Sequence, residues 1–424
     1  MPLSRPWFLS AGLAGLLPLL SVAAEGNSAR PPHSGFITIN GETRFPIGFY
    51  ELPRDEATLR EMATAGVNLV HCRNVQDLDR AHAAGLLGWM PVPVQNGATE
   101  ALRTLVSDAA NHPALAVWEG PDEIVWTFTA YSFLEKQAGF TREDWNHQTP
   151  RAVAYARTKA AELLPNLKAG IRLVRELDKR NLPFWINEAA DSDAAYARGY
   201  MDEIDVTGCD YYAVRSTGTD LPSIGRLVNR WQAIGRDKPV WMVIQAFSWH
   251  TIKSERTRLY PSFAQSRFMA YDAIAHGARG ILYWGSQEID DPNFRRSLYA
   301  LTSELAAIGP LLVGTTHAQA RAELINDLFD PPGIGVRVLL RRKGSEFLLI
   351  LVNEDAHRHL GVDVTGLDLL EGRTLNQLSG SETAVIDRGG FVTRLQAHEV
   401  KVFTTNPALT SLRMTGRDYT DQTP

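Results

Sequence analysis

Leu115-Ala116-Val117-Trp118-Glu119-Gly120-Pro121-Asp122-Glu123 is the stretch on which the reading of this chain turns. The apolar run Leu115 to Val117 reads as a buried strand. A Gly-Pro turn follows, and it delivers two adjacent carboxylates, Asp122 and Glu123, close after an indole, Trp118. A barrel of parallel strands places its chemistry at strand C-terminal ends. Paired carboxylates there are what acid–base cleavage of a glycosidic bond needs.

The sequence on either side makes this run one strand of a series. Upstream, Arg44 to Tyr50, Val67 to Arg73 and Leu87 to Val94 are apolar runs separated by helical spacing over Asp55 to Ala65, Leu78 to Ala84 and Glu100 to Ala110. Downstream, a helix over about 151–180 precedes a strand over Pro183 to Ala189. A helix from Ala194 to Glu203 leads to a strand from Ile204 to Tyr212, and one from Leu221 to Gly235 leads to a strand from Lys238 to Phe247. Ser262 to His276 is helical, Arg279 to Gly285 a strand, and Phe294 to Ile308 closes the set. The strands are continuous apolar runs, as expected when both faces are buried. Eight strands alternating with helices predict a (β/α)8 TIM barrel over residues 35–310. Phe36 to Gly41, with its Asn-Gly turn, pairs with the arm that becomes strand one. After Pro310 the pattern changes to β-rich alternating segments with Gly turns, predicting an all-β sandwich over residues 311–406 and a loose tail over 407–424.

Composition narrows the class. The chain has 424 residues, 44% hydrophobic and 21% charged, with a net charge of −5. No basic cluster stands out, so nucleic acid is not an expected partner. Arg5, the apolar run Trp7 to Val22 and the small residues Val22-Ala23-Ala24 form a secretory signal over residues 1–24, cut after Ala24. Residues 25–34 read as a linker. Pro18 and the shortness of the run argue against stable membrane insertion. The expected location is secreted or periplasmic. Cys72 and Cys209 fall on strands two and six, across the barrel, and are expected to be free and buried. No metal-ligand spacing appears, and no metal or other cofactor is expected.

The strand ends can be inspected directly. Strand one ends in Tyr50 and Glu51, strand two in His71, Arg73 and Asn74, strand three in Gln95 and Asn96. Strand four brings Trp118, Glu119, Asp122 and Glu123, strand five Asn187 and Glu188, strand six Asp210, Tyr211 and Tyr212. Strand seven ends in Gln245 and Trp249, strand eight in Trp284, Gln287 and Glu288. This is a polar pocket with aromatic walls, and it suits an oligo- or polysaccharide. Glu119 is expected to point outward, and Trp241 to belong to the core. The insertion over 124–150 adds Trp126, Phe128, Tyr131, Phe133 and Trp145, at least half of which are expected to pack the loop onto the barrel. Two close carboxylates raise one pKa, which favours Glu123 as the proton donor. Asp122 reads nearly as well as a helix N-cap.

The order Phe45-Pro46-Ile47-Gly48-Phe49-Tyr50, Ala65-Gly66-Val67-Asn68-Leu69-Val70, Trp118 to Glu123 and Leu282-Tyr283-Trp284-Gly285 resembles the glycoside hydrolase clan A barrels. The resemblance implies a secreted glycosidase. It implies Glu123 as general acid, with Asp122 where the clan usually has Asn, and Arg73, Tyr211 or Tyr212, and Trp284 in substrate contact. Tyr50, Trp118, Asn187, Asp210 and Gln245 complete the expected binding residues. The clan's nucleophile is a Glu ending strand seven, and here that place holds Gln245. Three readings follow. A second carboxylate acts as base or nucleophile, with Glu288 the best candidate and Glu188, Asp210 and Glu51 behind it. Alternatively, Asp122 and Glu123 work with a substrate acetamido group, as in hexosaminidases, and Gln245 binds substrate. In the last, the barrel binds carbohydrate without cleaving it.

Overall fold

The computed structural model describes residues 33–39, 41–130, 139–236, 238–325 and 335–410. The signal segment, most of the linker, Asn40, Tyr131, Phe133 and the tail beyond 410 lie outside the described residues, as does the Trp145 side chain. No described helix is long and apolar enough to cross a membrane.

Eight strands close a parallel barrel: β1 (Ile47–Phe49), β2 (Leu69–His71), β3 (Leu87–Pro91), β4 (Leu115–Glu119), β5 (Phe184–Ala189), β6 (Val206–Asp210), β7 (Val240–Gln245) and β8 (Gly280–Trp284). Neighbours in sequence are neighbours in space, and β8 pairs with β1 through Tyr283 and Phe49. The helices that follow the strands are α1 (Glu56–Thr64), α2 (Val75–Ala83), α3 (Glu100–Ala109), α4 (Pro150–Leu177), α5 (Ala194–Ala197), α6 (Ser223–Gly235), α7 (Phe263–Ala275) and α8 (Pro292–Leu312), with short helical turns at Trp126–Thr129, Arg142–Asn146 and Pro407–Thr410 besides. Their starts are chemically marked. The Asp55 carboxylate accepts from the amides of Ala57 and Thr58 ahead of α1, and Ser262 with Gln265 forms a capping box on α7. Asn74, at a strand end, caps α2 through the Asp77 amide.

The barrel interior is filled by three buried indoles, Trp89, Trp185 and Trp241, with Leu69, Val117, Val206 and Leu282. Their bulk explains Gly208 and Gly280. A Cβ at Gly280 would lie 2.7 Å from the Trp241 ring, and one at Gly208 would lie 3.2 Å from Trp185 and 2.5 Å from the Trp241 carbonyl oxygen. Truncating one such indole to Ala would cost about 3–5 kcal/mol. The Trp241 indole N–H donates to the Gly35 carbonyl at 2.8 Å, so the N-terminal hairpin (Ile37–Ile39 with Glu42–Arg44) packs on the barrel floor. That hairpin does not run on into strand one: Pro46, with no N–H to donate, separates Arg44 from β1. Cys72 and Cys209 are free and buried.

Beyond the barrel, the described residues form a six-stranded antiparallel sheet in the order Thr315–Thr316, Val336–Lys343, Glu346–Asn353, Val400–Thr404, Thr374–Gln377 and Thr383–Val385. A three-stranded sheet, Arg321–Leu324, Leu360–Thr365 and Phe391–Leu395, faces it. Leu340, Leu349, Val362, Val364 and Phe403 are buried between the two. The six-stranded sheet turns its other face, with Leu348, Ile350, Val352 and Val402, into the barrel's own core. Helix α8 continues through Pro310 to Leu312, about one turn beyond the Ile308 end that the apolar pattern indicates.

Candidate active site

The side chains at the barrel mouth sort by strand alternation. On β4, Trp118 points outward, where its indole N–H donates to the Asp178 carboxylate at 3.1 Å behind α4. It therefore supports the helix layer and does not face the mouth, contrary to the expectation that it binds substrate. Glu119, one residue on, points inward, contrary to the expectation that it faces out. It is 2% exposed, and its carboxylate lies 3.5 Å from His71 Nε2. The Tyr50 hydroxyl and the Trp89 indole N–H face the same carboxyl and favour its ionised form, yet burial and the Asp122 charge hold its pKa well above the carboxylate range. Glu119 Oε1, Tyr50 OH and Trp89 Nε1 are buried without a closed hydrogen bond. Burial and the nearby Arg73 push His71 down to about 4, so it is neutral and forms no ion pair with a protonated Glu119.

Past β4, Gly120-Pro121 turns the chain and Glu123 adopts a left-handed backbone, φ 51°. This strained conformation is fixed from both sides. The Glu123 amide donates to the Asn187 carbonyl at 3.0 Å. Glu188 accepts the Val125 amide through both oxygens, at 3.1 and 3.3 Å, together with the Ser192 hydroxyl at 2.7 Å and the Tyr200 hydroxyl at 2.8 Å. Fully buried and surrounded by donors, Glu188 is a clasp between β5 and the β4 loop; burial keeps its pKa up at about 7. Asp122 is not a helix cap. Its residue surface is exposed, but protein crowds the carboxylate and raises its pKa, partly offset by the Asn187 side-chain amide donating at 2.9 Å.

Glu123 and Asp210, at the end of β6, bring their carboxyls close enough to act on one another, and Asp210 Oδ1 is buried without a hydrogen-bond partner among the described residues. Burial and the charges of Asp122 and Glu188 raise Glu123 to about 7, while burial and the Glu123 charge hold Asp210 well above its ordinary value. The pair thus gives up one proton near neutrality and keeps the other. Tyr212 completes this side: its hydroxyl lies near Asp210, burial and the charge of that carboxyl raise its pKa, and its ring stacks on Trp284 at 5.3 Å between centroids. Phe247 and Trp249 extend the aromatic wall.

Gln245 does not reach the mouth. Its amide nitrogen donates to the carbonyls of Val214 and Phe247 at 3.0 and 2.9 Å, and its oxygen accepts the Val214 amide at 2.9 Å. With 0% exposure it pins the short hairpin after β6. The geometry thus runs against Gln245 as a substrate ligand, and also explains why an amide stands there, since a carboxylate could not donate to two carbonyls.

A cavity of about 750 Å³ opens beside this cluster, walled by Tyr50, Glu51, His71, Arg73, Trp284 and Glu288. Glu51 is tied to the amides of Gly285 and Ser286 and to the Ser286 hydroxyl. Glu288 is half-buried, and no hydrogen bond or ion pair of its carboxylate occurs among the described residues. Arg73 is largely exposed on the cavity wall and leans on Asp77 at 3.3 Å. A second cavity of about 670 Å³, over the loops after β7 and β8, shares Gln287, Glu288 and Ile289 with the first. Trp126 lines a third cavity on the far rim, and Phe128 packs on Tyr196. Among the described residues one group is close enough to hold a metal ion, Asp272, His276 and Glu354, far around the fold at the β-sheet junction.

The inward turn of Glu119 was legible in principle: Val117 and Glu119 share a strand face opposite Trp118. The clasp role of Glu188 had no sequence signal, because its three donors come from three separate segments.

The fold matches solved glycoside hydrolases. A glycoside hydrolase family 5 protein from Bacteroides vulgatus superposes with a TM-score of 0.52 at 15% identity, over 88% of this chain and 93% of that one. A β-galactosidase from Bacillus circulans sp. alkalophilus gives 0.54 at 10% identity, over 85% and 99%. A family 42 β-galactosidase from G. stearothermophilus gives 0.54 at 10%, over 87% and 98%. At such identities the likeness is one of fold. No known family profile and no curated protein sequence matches the chain.

Proposed function

We propose that this chain is a glycoside hydrolase, exported from the cytoplasm, in which Glu123 protonates the leaving oxygen of an O-glycosidic bond. The observation that carries the reading is the pair made by Glu123, in the loop after β4, and Asp210, at the end of β6. It keeps a carboxylic acid protonated up to about pH 7, where an ordinary glutamate has already ionised. A general acid works best with its pKa near the working pH. The aromatic wall of Tyr212 and Trp284 supplies stacking faces for sugar rings.

The second group follows from what is free. Glu123 and Asp210 sit side by side, too close to flank a glycosidic bond, since retaining pairs stand about 5–5.5 Å apart and inverting pairs about 6.5–9.5 Å. Glu188 and Glu51 are held by backbone amides and hydroxyls. Glu288 lines the cavity without such partners and is the base: it takes a proton from water as the oxygen attacks the anomeric carbon. The bond to the leaving oxygen breaks, and that oxygen takes the proton from Glu123. A second reading is favoured by the β7 end, where Gln245 leaves no carboxylate. In it, Asp122, beside Glu123 and held by Asn187, orients an acetamido group of the substrate that attacks in place of an enzyme nucleophile.

The test is turnover of a glycan panel by wild type, Glu123→Gln and Glu288→Gln. The acid role requires Glu123→Gln to lose at least about a hundredfold in kcat on unactivated substrates. If Glu288→Gln retains full activity and every substrate turned over bears a 2-acetamido group, the second reading replaces the first. Binding without turnover in wild type would leave a carbohydrate-binding barrel.

A further inference from the structure

Away from the mouth, α7 and the six-stranded sheet meet over a cluster in which one atom is contested. Asp272 and His276 stand four residues apart at the end of α7 and share a face. Glu354, just past the strand Glu346–Asn353, reaches the same imidazole. His276 Nε2 lies 2.8 Å from Glu354 Oε1, 3.7 Å from Asp272 Oδ1 and 3.1 Å from Arg337 Nε. That nitrogen carries either a hydrogen or a lone pair. With a hydrogen, it donates to Glu354 and cannot accept from Arg337. With a lone pair, it accepts from Arg337 and faces two carboxylate oxygens. Either way one contact is unmet, and Asp272 Oδ1 is buried without a hydrogen-bond partner among the described residues.

The surroundings hold these groups in place. The other Asp272 oxygen accepts the Gly225 amide of α6 at 2.8 Å. Glycine is required there, because a Cβ would lie 2.2 Å from His276 Cδ2 and 2.7 Å from Asp272 Oδ2. Asp272 is 0% and His276 7% exposed. Burial and the Glu354 charge push the Asp272 carboxyl well above its ordinary value, in spite of the Gly225 amide and the charges of Arg337 and Arg226. Arg337 is itself exposed and can turn out to solvent.

We propose that Asp272 Oδ1, His276 Nε2 and Glu354 Oε1 bind one divalent transition-metal ion of the zinc class, tying α7 to the sheet. The three atoms lie within 4.8 Å of one another. Donors on a tetrahedral ion at about 2.0–2.2 Å stand about 3.4 Å apart, so side-chain shifts of about 1 Å close the set. The ion takes the Nε2 lone pair, gives Asp272 Oδ1 its partner and balances both carboxylate charges. Arg337 leaves, and water takes the fourth position. The imidazole favours a zinc-like ion over calcium or magnesium, which take oxygen ligands. The site stands apart from the barrel mouth and holds whether or not the chain cleaves glycans.

Calorimetric titration of the full chain, stripped with EDTA, with zinc and then calcium chloride tests this. One zinc per chain is expected, bound at least about tenfold more tightly than calcium. At free zinc a hundredfold above Kd, the folded-to-unfolded ratio should rise about a hundredfold and the melt should move up with it. Asp272→Asn and Glu354→Gln keep size and one oxygen, and melts in EDTA report whether they fold. Each should weaken zinc at least about tenfold, as loss of even an outer partner does. Arg337→Ala should tighten zinc, because a competing cation is gone. A plain ion-pair cluster predicts the reverse for that variant, a lower melt and no response to zinc. Failure to bind zinc one to one, or binding undiminished in both carboxamide variants, would overturn the proposal.

Discussion

At the scale of single residues, the acid pair dictates a pH response. The active form of Glu123 is protonated, and its pKa is raised to about 7 by burial first and the Asp122 charge second. Activity should therefore fall as pH rises through about 7, and kcat/KM against pH should show that limb. Asp122→Asn removes one of the raising charges and leaves an oxygen for the Asn187 amide. The limb should move to lower pH; an unmoved limb would mean that the titrating group is not Glu123. Gln245 supports the opposite kind of expectation. Gln245→Glu restores the carboxylate that clan A barrels carry at this place, but it aims that carboxylate at the carbonyls of Val214 and Phe247, now 3.0 and 2.9 Å from an amide nitrogen. The variant should lose about 1–3 kcal/mol in urea melts, the cost of unpaired buried polar groups, and should gain no activity. A rise in kcat would show that this side chain can reach the substrate.

At the scale of elements, the β4 loop is held by a carboxylate from the next strand. Glu188 fixes Val125 and thereby the left-handed turn at Glu123. Glu188→Ala leaves the Val125 amide and the Ser192 and Tyr200 hydroxyls without acceptors. It should lower stability by about 1–3 kcal/mol and lower kcat more than tenfold with KM little changed, because the acid is misplaced while the cavity is untouched. Glu188→Gln keeps an acceptor for the Val125 amide and should recover most of the rate. A purely structural Glu188 would move stability in both variants and kcat in neither. The strands themselves were legible, since buried parallel strands are continuous apolar runs, and so was the mouth, since topology places it at strand ends. The partners at the mouth were not. Trp118 and Glu119 exchange sides by one residue of alternation, and Gln245 answers to Val214, far away in sequence. Pairings of that kind depend on loop geometry that local pattern does not record. Helix α8 overran its expected end for a related reason: Leu311 and Leu312 are buried against the β-sheet, and tertiary packing carried the helix past Pro310.

At the scale of the whole molecule, the six-stranded sheet shares its core with the barrel. Leu348, Ile350, Val352 and Val402 are buried in the same cluster as α7 and α8. A buried polar junction reinforces it: Arg267 donates to Glu304 at 2.9 Å and to the Val400 carbonyl at 2.7 Å, and Tyr271 donates to Glu304 at 2.6 Å. Glu304 is 2% exposed. The barrel and the sheets should therefore unfold together. The sequence provides a clean probe, because all 10 tryptophans precede residue 310: Trp7 falls in the signal segment and the other nine within residues 35–310, so fluorescence reports on the barrel and not on the sheets. Far-UV circular dichroism reports on both. In urea the two signals should trace one transition. Arg267→Ala strands the Glu304 charge, a loss of about 3–5 kcal/mol, and should shift both signals equally. If fluorescence held while circular dichroism fell first, the sheets would be an independent domain and the shared core would not couple them. Removing everything after Leu312 should then yield a soluble barrel, whereas a shared core requires that truncation to expose the apolar face of α7 and α8 and aggregate.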